Sequence, residues 1–151
     1  MLQKLIDFIK KLLEIKTKKQ RKPQRSEKSY AKKALLTATE IKFKNAIEKH
    51  LPNNYVLYPQ INLATIIKRT DEHTYQNELF RNVDFCVFDE KFIPRLIIEI
   101  NDNSHKEKSR QARDIKVQKI CEGAEIPIVK FWTEYGVNES YIEKKIKEIL
   151  A

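Results

Sequence analysis

Apolar positions recur at two different periods along this chain, and the change of period marks out its elements. Over residues 2–16, LQKLIDFIKKLLEIK, Leu2, Leu5, Ile6, Ile9, Leu12 and Leu13 share one helical face. Phe8 and Ile15 widen that face, and Gln3, Lys4, Asp7, Lys10, Lys11 and Glu14 form the polar stripe opposite. The spacing predicts an amphipathic helix. Residues 17–34 are polar, Lys-rich and broken by Pro23, the composition of a flexible basic linker. The folded body is expected over 35–151. Thr37-Ala38-Thr39-Glu40 has the spacing of a capping box, with Leu36 and Ile41 placed for the flanking hydrophobic staple. Phe43, Ala46, Ile47 and Leu51 continue an apolar face until Pro52-Asn53-Asn54 ends the helix. Residues 55–60 read as a strand that Pro59 weakens or terminates. Residues 61–68 fit a helix or an extended segment equally, and 69–81 are polar and loop-like with room for a short helix.

The period then shortens to that of strands. Residues 83–88 and 96–100 are rich in Val, Ile and Phe and are joined through Asp89-Glu90-Lys91, a hairpin signature. Ser104-His105-Lys106-Glu107 repeats the capping-box spacing and would start a helix that runs to Glu122 and stops at Gly123. Val117, Ile120, Cys121 and Ala124 share a face of it. Residues 126–132, IPIVKFW, have the nearly continuous apolar character of a strand covered on both faces. Residues 138–150 close the chain as an amphipathic helix with Tyr141, Ile142, Ile146, Ile149 and Leu150 inward. Helix, strand, hairpin, helix, strand, helix is the order of a mixed α/β sandwich. Its second hairpin strand and 126–132 would be joined by a right-handed crossover.

Charge changes this picture in one place. Residues 1–34 carry twelve Lys/Arg against three Asp/Glu, a balance of +9, and the whole chain is also +9. The remaining residues therefore balance, eighteen against eighteen. The basicity belongs to the leader, and speaks to phosphate backbones or an anionic membrane surface as partners of residues 2–34. A helix packed on its own domain or on a partner protein is the plainer reading of residues 2–16, ahead of a membrane surface. That segment is too short and too charged to span a bilayer. No secretory signal is evident, so the expected location is the cytoplasm, with peripheral attachment at the inner membrane face as an option for the leader. Cys86 and Cys121 sit in apolar segments at wide separation, the pattern of reduced, buried thiols. With only Gly123 and Gly136 in the chain, phosphate-cradling Gly-rich loops are excluded.

The residues that resist a structural explanation are acids. If the hairpin closes symmetrically, Asp84 lies opposite Glu99. Carboxylates across strands are ~5 Å apart and repel by roughly 3 kcal/mol at an effective dielectric near 20. A divalent cation between them would turn that repulsion into a binding site, and His105, just beyond, could hold or activate a water. The competing reading is a salt bridge for each acid: Arg81 or Arg95 for Asp84, Arg113 or Lys130 for Glu99. Glu40 is fully accounted for by the capping box, and serves a site as well only if its side chain is not committed to the Thr37 amide. His105 and the run Asn101 to Ser104 also suit an ordinary strand-to-helix turn. Tyr55, Tyr58, Phe131 and Trp132 read as core rather than as base-stacking platforms.

Glu40 on a first helix, Val83-Asp84-Phe85, Ile97-Ile98-Glu99-Ile100-Asn101-Asp102, His105, Arg113-Asp114 and Ile126-Pro127-Ile128-Val129 follow one another at workable spacings. In this order they resemble the PD-(D/E)XK restriction-endonuclease-like superfamily. The likeness is to its very-short-patch-repair-type branch and a related bacterial domain family of unknown function, and it covers roughly residues 35–132. The resemblance implies a mixed sheet core flanked by helices and a Mg²⁺-dependent nuclease acting on DNA, with Mn²⁺ as the alternative ion. Asp84 and Glu99 would bind the ion with the Ile100 carbonyl, Glu40 would point into the site, and His105 would stand near the attacking water. The chemistry implied is in-line attack of metal-activated water on a phosphodiester. One departure stands out: the superfamily's lysine, two residues after the glutamate, is Asn101 here. A neutral amide orients water but supplies no charge. Lys116 lies eleven helical residues beyond His105, ~16 Å away, too far to substitute. Lys106 and Lys108 are nearer. A nucleic-acid-binding or scaffolding module without turnover is the alternative within the same fold.

Overall fold

The computed structural model describes residues 2–18, 30–71, 77–102 and 108–150. The chain divides into two units, Met1–Lys33 and Ala34–Ala151. The first contains α1 (Leu2–Lys18), with Leu5, Ile6, Phe8 and Ile9 exposed along it. The amphipathic helix thus runs into the stretch expected to be linker. Residues 19–29 of that linker lie outside the described residues. Among the described residues no helix is long and apolar enough to cross a membrane.

The second unit is a mixed α/β fold. Its elements are α2 (Ala38–His50), β1 (Tyr55–Asn62), the single turn α3 (Leu63–Ile66), β2 (Asn82–Asp89), β3 (Pro94–Asn101), α4 (Lys108–Gly123), β4 (Ile128–Trp132) and α5 (Glu139–Leu150). The strands form one sheet in the order β1-β2-β3-β4. β1–β2 and β2–β3 are antiparallel, and β3–β4 is parallel across α4.

Two apolar layers cover the sheet. Phe85, Val87, Leu96, Ile98, Val129 and Phe131 pack against Phe43, Ala46 and Ile47 of α2 and Ile142, Ile146 and Leu150 of α5. On the other face Cys86, Phe88 and Ile97 meet Leu63 of α3 and Val117 and Cys121 of α4. The capping box at Thr37 is formed: Glu40 N–H donates to the Thr37 hydroxyl at 3.2 Å and Thr37 N–H to Glu40 Oε2 at 2.6 Å. Ile41, placed by sequence for a staple, is exposed, and so in part is Tyr141, which the helical period set inward.

Two expectations are corrected. Pro59 does not end β1, which continues through Asn62. β1 is an edge strand, where the missing proline N–H breaks no ladder bond that the sheet needs. The hairpin turn is wider than Asp89-Glu90-Lys91 alone. Asp89 N–H donates to the Ile93 carbonyl at 3.1 Å, Phe92 takes φ 57°, and Asp89 Oδ1 accepts from Lys91 and Ile93 N–H. An irregularity between Val87 and Phe88 takes up the difference before the strands reach the acids.

Candidate functional site

Phe85 pairs with Ile98 and Cys86 with Ile97, so the next step of the same register sets Asp84 beside Glu99. Strand alternation puts both on the α4 face of the sheet, the side of Cys86 and Ile97. The regular β2–β3 ladder stops at this point. Ile100 N–H donates instead to Asp84 Oδ2 at 2.7 Å, a side chain of one strand completing the backbone of the next. The two carboxyl groups also hydrogen-bond to each other.

That bond requires a proton. Burial pushes Glu99 upward and the charge of Asp84 adds to it, bringing the Glu99 carboxyl up to about 8 from its ordinary 4.5. Asp114 pushes it the same way, while Arg113 opposes. Burial raises Asp84 as well, with the Ile100 amide and the bond from Glu99 working against it and Glu40 adding to it. Raised to about 8, the Glu99 carboxyl favours its protonated form at neutral pH, with Asp84 beside it as the group able to accept.

The salt bridges that would have explained these acids structurally are made elsewhere. Arg95 pairs with Asp89 at 2.7 Å, and Arg81 Nε donates to the Glu78 carbonyl at 3.2 Å. Among the described residues neither Asp84 nor Glu99 is in an ion pair. Arg113 contributes only a longer-range field to both. Also among the described residues, no group of three or more His, Cys, Asp and Glu side chains is placed to hold a metal ion. The donor set is thus a carboxyl pair, which suits a hard cation that retains several waters better than one needing a protein cage.

The acids belong to a polar row across the sheet. In the β1–β2 register Pro59 faces Phe85 and Ile61 faces Val83, which leaves Gln60 opposite Asp84. Gln60 takes φ 53°, a left-handed conformation that costs a non-glycine residue about 1 kcal/mol or more. Its Nε2 donates to Glu40 Oε1 at 3.3 Å. On the other side Glu99 is the direct partner of Lys130 in β4. Lys130 is half-buried and lines a small cleft with Glu99, Asn101, Arg113 and Asp114. The row Gln60, Asp84, Glu99, Lys130 crosses four strands whose neighbouring positions are apolar.

Asn101 closes β3 beside Trp132 and lines the same cleft. Glu40 has both oxygens engaged, one with Thr37 and one with Gln60, and reaches Asp84 through its charge. At Ile100 the contact is made by the amide. His105, with Ser104, Lys106 and Glu107 of the second capping box, lies outside the described residues. Cys86 and Cys121 are buried, and burial pushes their thiols up to about 12 and about 11, which removes them as nucleophiles.

The sequence does not single out Gln60, and it offers Lys130 only as a counter-ion for Glu99. Gln60 lies in a stretch that Pro59 made look interrupted. The only sequence signal for Lys130 is a lysine inside an apolar strand.

Comparison with known families gives one match: the family described as a protein of unknown function (DUF2726) matches residues 32–149. No curated protein and no solved structure matches.

Proposed function

The chain belongs to the DUF2726 family, whose function is unknown, and from the acids of its folded body we propose a Mg²⁺- or Mn²⁺-dependent nuclease-like domain of the PD-(D/E)XK type that hydrolyses DNA phosphodiesters. The observation that carries this is the Asp84–Glu99 pair, half-buried, side by side, and in no ion pair among the described residues. Burying two carboxyl groups together works against stability, and a hard cation is the partner that offsets it.

Asp84 and Glu99 would hold the ion, with the Ile100 carbonyl as the ligand that the resemblance adds. When bound, such an ion polarises the phosphate and lowers the pKa of an attacking water. The rest falls to the chain's own side chains. The Ile100 amide fixes the Asp84 carboxylate, so the ligand does not have to reorganise. Asn101 orients water with its amide. Lys130, beside Glu99 in the sheet, supplies the positive charge that Asn101 lacks and meets a phosphate oxygen as negative charge builds there. Glu40 adds negative potential at Asp84. His105 has the role the repair-type branch gives it, near the water. The water oxygen would bond to phosphorus as the ester P–O bond breaks, with the attacking water's proton released to solvent and the departing oxygen protonated from solvent.

Asn101 at the lysine position favours a second reading, a module that binds nucleic acid and an ion without turnover. The leader, residues 2–34, serves in either case as a tether to phosphate backbone, to an anionic membrane surface or to a partner protein, at a cytoplasmic location. The deciding experiment incubates wild type and Glu99→Ala with supercoiled, linear and single-stranded DNA and with RNA, in Mg²⁺, Mn²⁺ or chelator. Cleavage that needs metal and is lost in Glu99→Ala is expected. Intact substrates with a metal-dependent rise in melting temperature would move the protein to the second reading.

A further inference from the structure

A cavity of about 330 Å³ opens on the face of the sheet opposite the acids, lined by Phe43, Phe131, Trp132, Tyr135, Asn138 and Tyr141. Its size is at the lower end of the range for small-ligand sites. Phe43 and Phe131 stack with centroids 6.2 Å apart at 12°, and Tyr141 meets Phe131 edge-on at 6.0 Å and 79°. The rings nearer solvent are accessible: Trp132 is 37% exposed, Tyr141 46% and Tyr135 74%. Asn138 brings an amide to the wall, fixed there because its Oδ1 caps α5 through Tyr141 N–H at 3.0 Å.

Two elements run from the acid site into this cavity. α2 carries Glu40 and, one turn on, Phe43, an advance of ~4.5 Å. β4 carries Lys130 and then Trp132, an advance of ~6.6 Å. Trp132 is also the direct sheet partner of Asn101. β4 is the edge of the sheet, so a strand leaving the acid cleft past Asn101 can round that edge at Trp132 and bring a base to the rings.

We propose that this cavity binds one unpaired nucleobase of the nucleic acid presented to the acids, so that the substrate is single-stranded or locally opened there. The inference rests on the nucleic-acid part of the reading above and names its substrate class. A flat π-face is what ring-lined sites accept regardless of base identity, whereas an aliphatic side chain gains nothing from ring orientation. Of the charged groups on β4, Lys130 is the one suited to a sugar-phosphate chain.

Trp132 is the only tryptophan in the chain, so its fluorescence reports on this cavity alone. The test titrates the full-length protein in chelator with short oligothymidylate, the same strand paired with oligoadenylate, and an abasic strand of equal length. Oligothymidylate is expected to quench Trp132, and the duplex and abasic strand to do so weakly or not at all. Tyr135→Ala, on an exposed side chain, and Tyr141→Ala, checked by thermal melting, should each weaken that binding by roughly fivefold or more. Equal quenching by the abasic strand, or unchanged binding in both variants, would overturn the proposal and leave the basic leader as the holder of the strand. Quenching by an apolar peptide but not by oligothymidylate would overturn it in favour of a protein partner. Cleavage without base-dependent quenching removes the pocket and keeps the nuclease; base-dependent quenching without cleavage does the reverse.

Discussion

Glu99 and Lys130 are direct partners in the parallel β3–β4 pairing, yet among the described residues they form no ion pair. Burial and the charge of Asp84 push Glu99 upward, and a carboxyl that favours its neutral form has little attraction for the ammonium. Under the proposed reading Lys130 would serve an anion from outside the chain.

If it does, Lys130→Met should lower phosphodiester cleavage by roughly 10²–10³-fold, the usual loss when one preorganised charge-stabilising donor is removed. Lys130→Arg should restore part of the rate, because the charge is kept and its geometry is not. Mg²⁺-dependent stabilisation should be the same in all three proteins, since Lys130 is no ligand. Single-turnover cleavage and thermal melts with and without metal check both halves. A Lys130→Met protein that cuts at the wild-type rate would return Lys130 to an ordinary strand position.

Metal should stabilise the folded chain through the acid pair. At a hundredfold excess of Mg²⁺ over its Kd the gain would be about 2.7 kcal/mol by mass action. Asp84→Ala and Glu99→Gln should both lose this shift. Glu99→Gln should nevertheless be at least as stable as wild type without metal, and more so at neutral pH and above, because an amide still donates to Asp84 and has no proton to lose. Differential scanning fluorimetry across a metal titration separates the two effects. A metal shift that persists in both variants would place the ion somewhere else.

Much of this site was legible before the coordinates, for local reasons. Asp84 and Glu99 stood out because acids inside VDFCVF and LIIEIN have no local explanation, and a short hairpin ties its own register. The irregularity between Val87 and Phe88 sits on the turn side of the acids, so it did not disturb their pairing. The capping box at Thr37 was equally visible, being a contact three residues long. Lys130 was not visible as Glu99's sheet partner. A crossover through a helix leaves the register of parallel strands open, so nothing short-range tells which residue of β4 meets Glu99. Gln60 was hidden by a rule applied too strictly: proline stops a central strand, but β1 is at the edge. The aromatic cavity draws on α2, β4 and α5 together, and no single period in the chain announces it.

Glu40 provides a way to divide cap from site. Thr37→Ala should cost about 1 kcal/mol, the usual value of an N-cap, with little change in metal binding. Glu40→Gln should keep the box, since glutamine serves at that position too, while removing a charge that raises Asp84. The expected result is near-native stability with metal affinity weakened a few-fold, on the order expected for a screened charge. Chemical denaturation paired with metal titration gives both numbers. Equal metal affinity in Glu40→Gln and wild type would confine Glu40 to the cap.

The upward push on Glu99 should make stability and metal binding depend on pH in opposite directions. Glu99 is pushed up to about 8 in the folded chain from an ordinary value of 4.5, first by burial and then by Asp84. Between those values the folded chain holds a proton that the unfolded chain has released. Stability in the absence of metal should therefore fall as pH rises through this window, by at most about 1.4 kcal/mol per pH unit for one proton, and level off above it. The total is on the order of a few kcal/mol, and Glu99→Gln should flatten the slope. Metal displaces that proton, so Mg²⁺ affinity should climb over the same window, with close to one proton released per ion at neutral pH. Urea unfolding from about pH 5 to about pH 9, and calorimetric titration of Mg²⁺ in buffers of different ionisation heat, measure the two slopes. If wild type and Glu99→Gln share one pH profile, no proton sits between Asp84 and Glu99, and the acids are not poised for a cation in the way argued above.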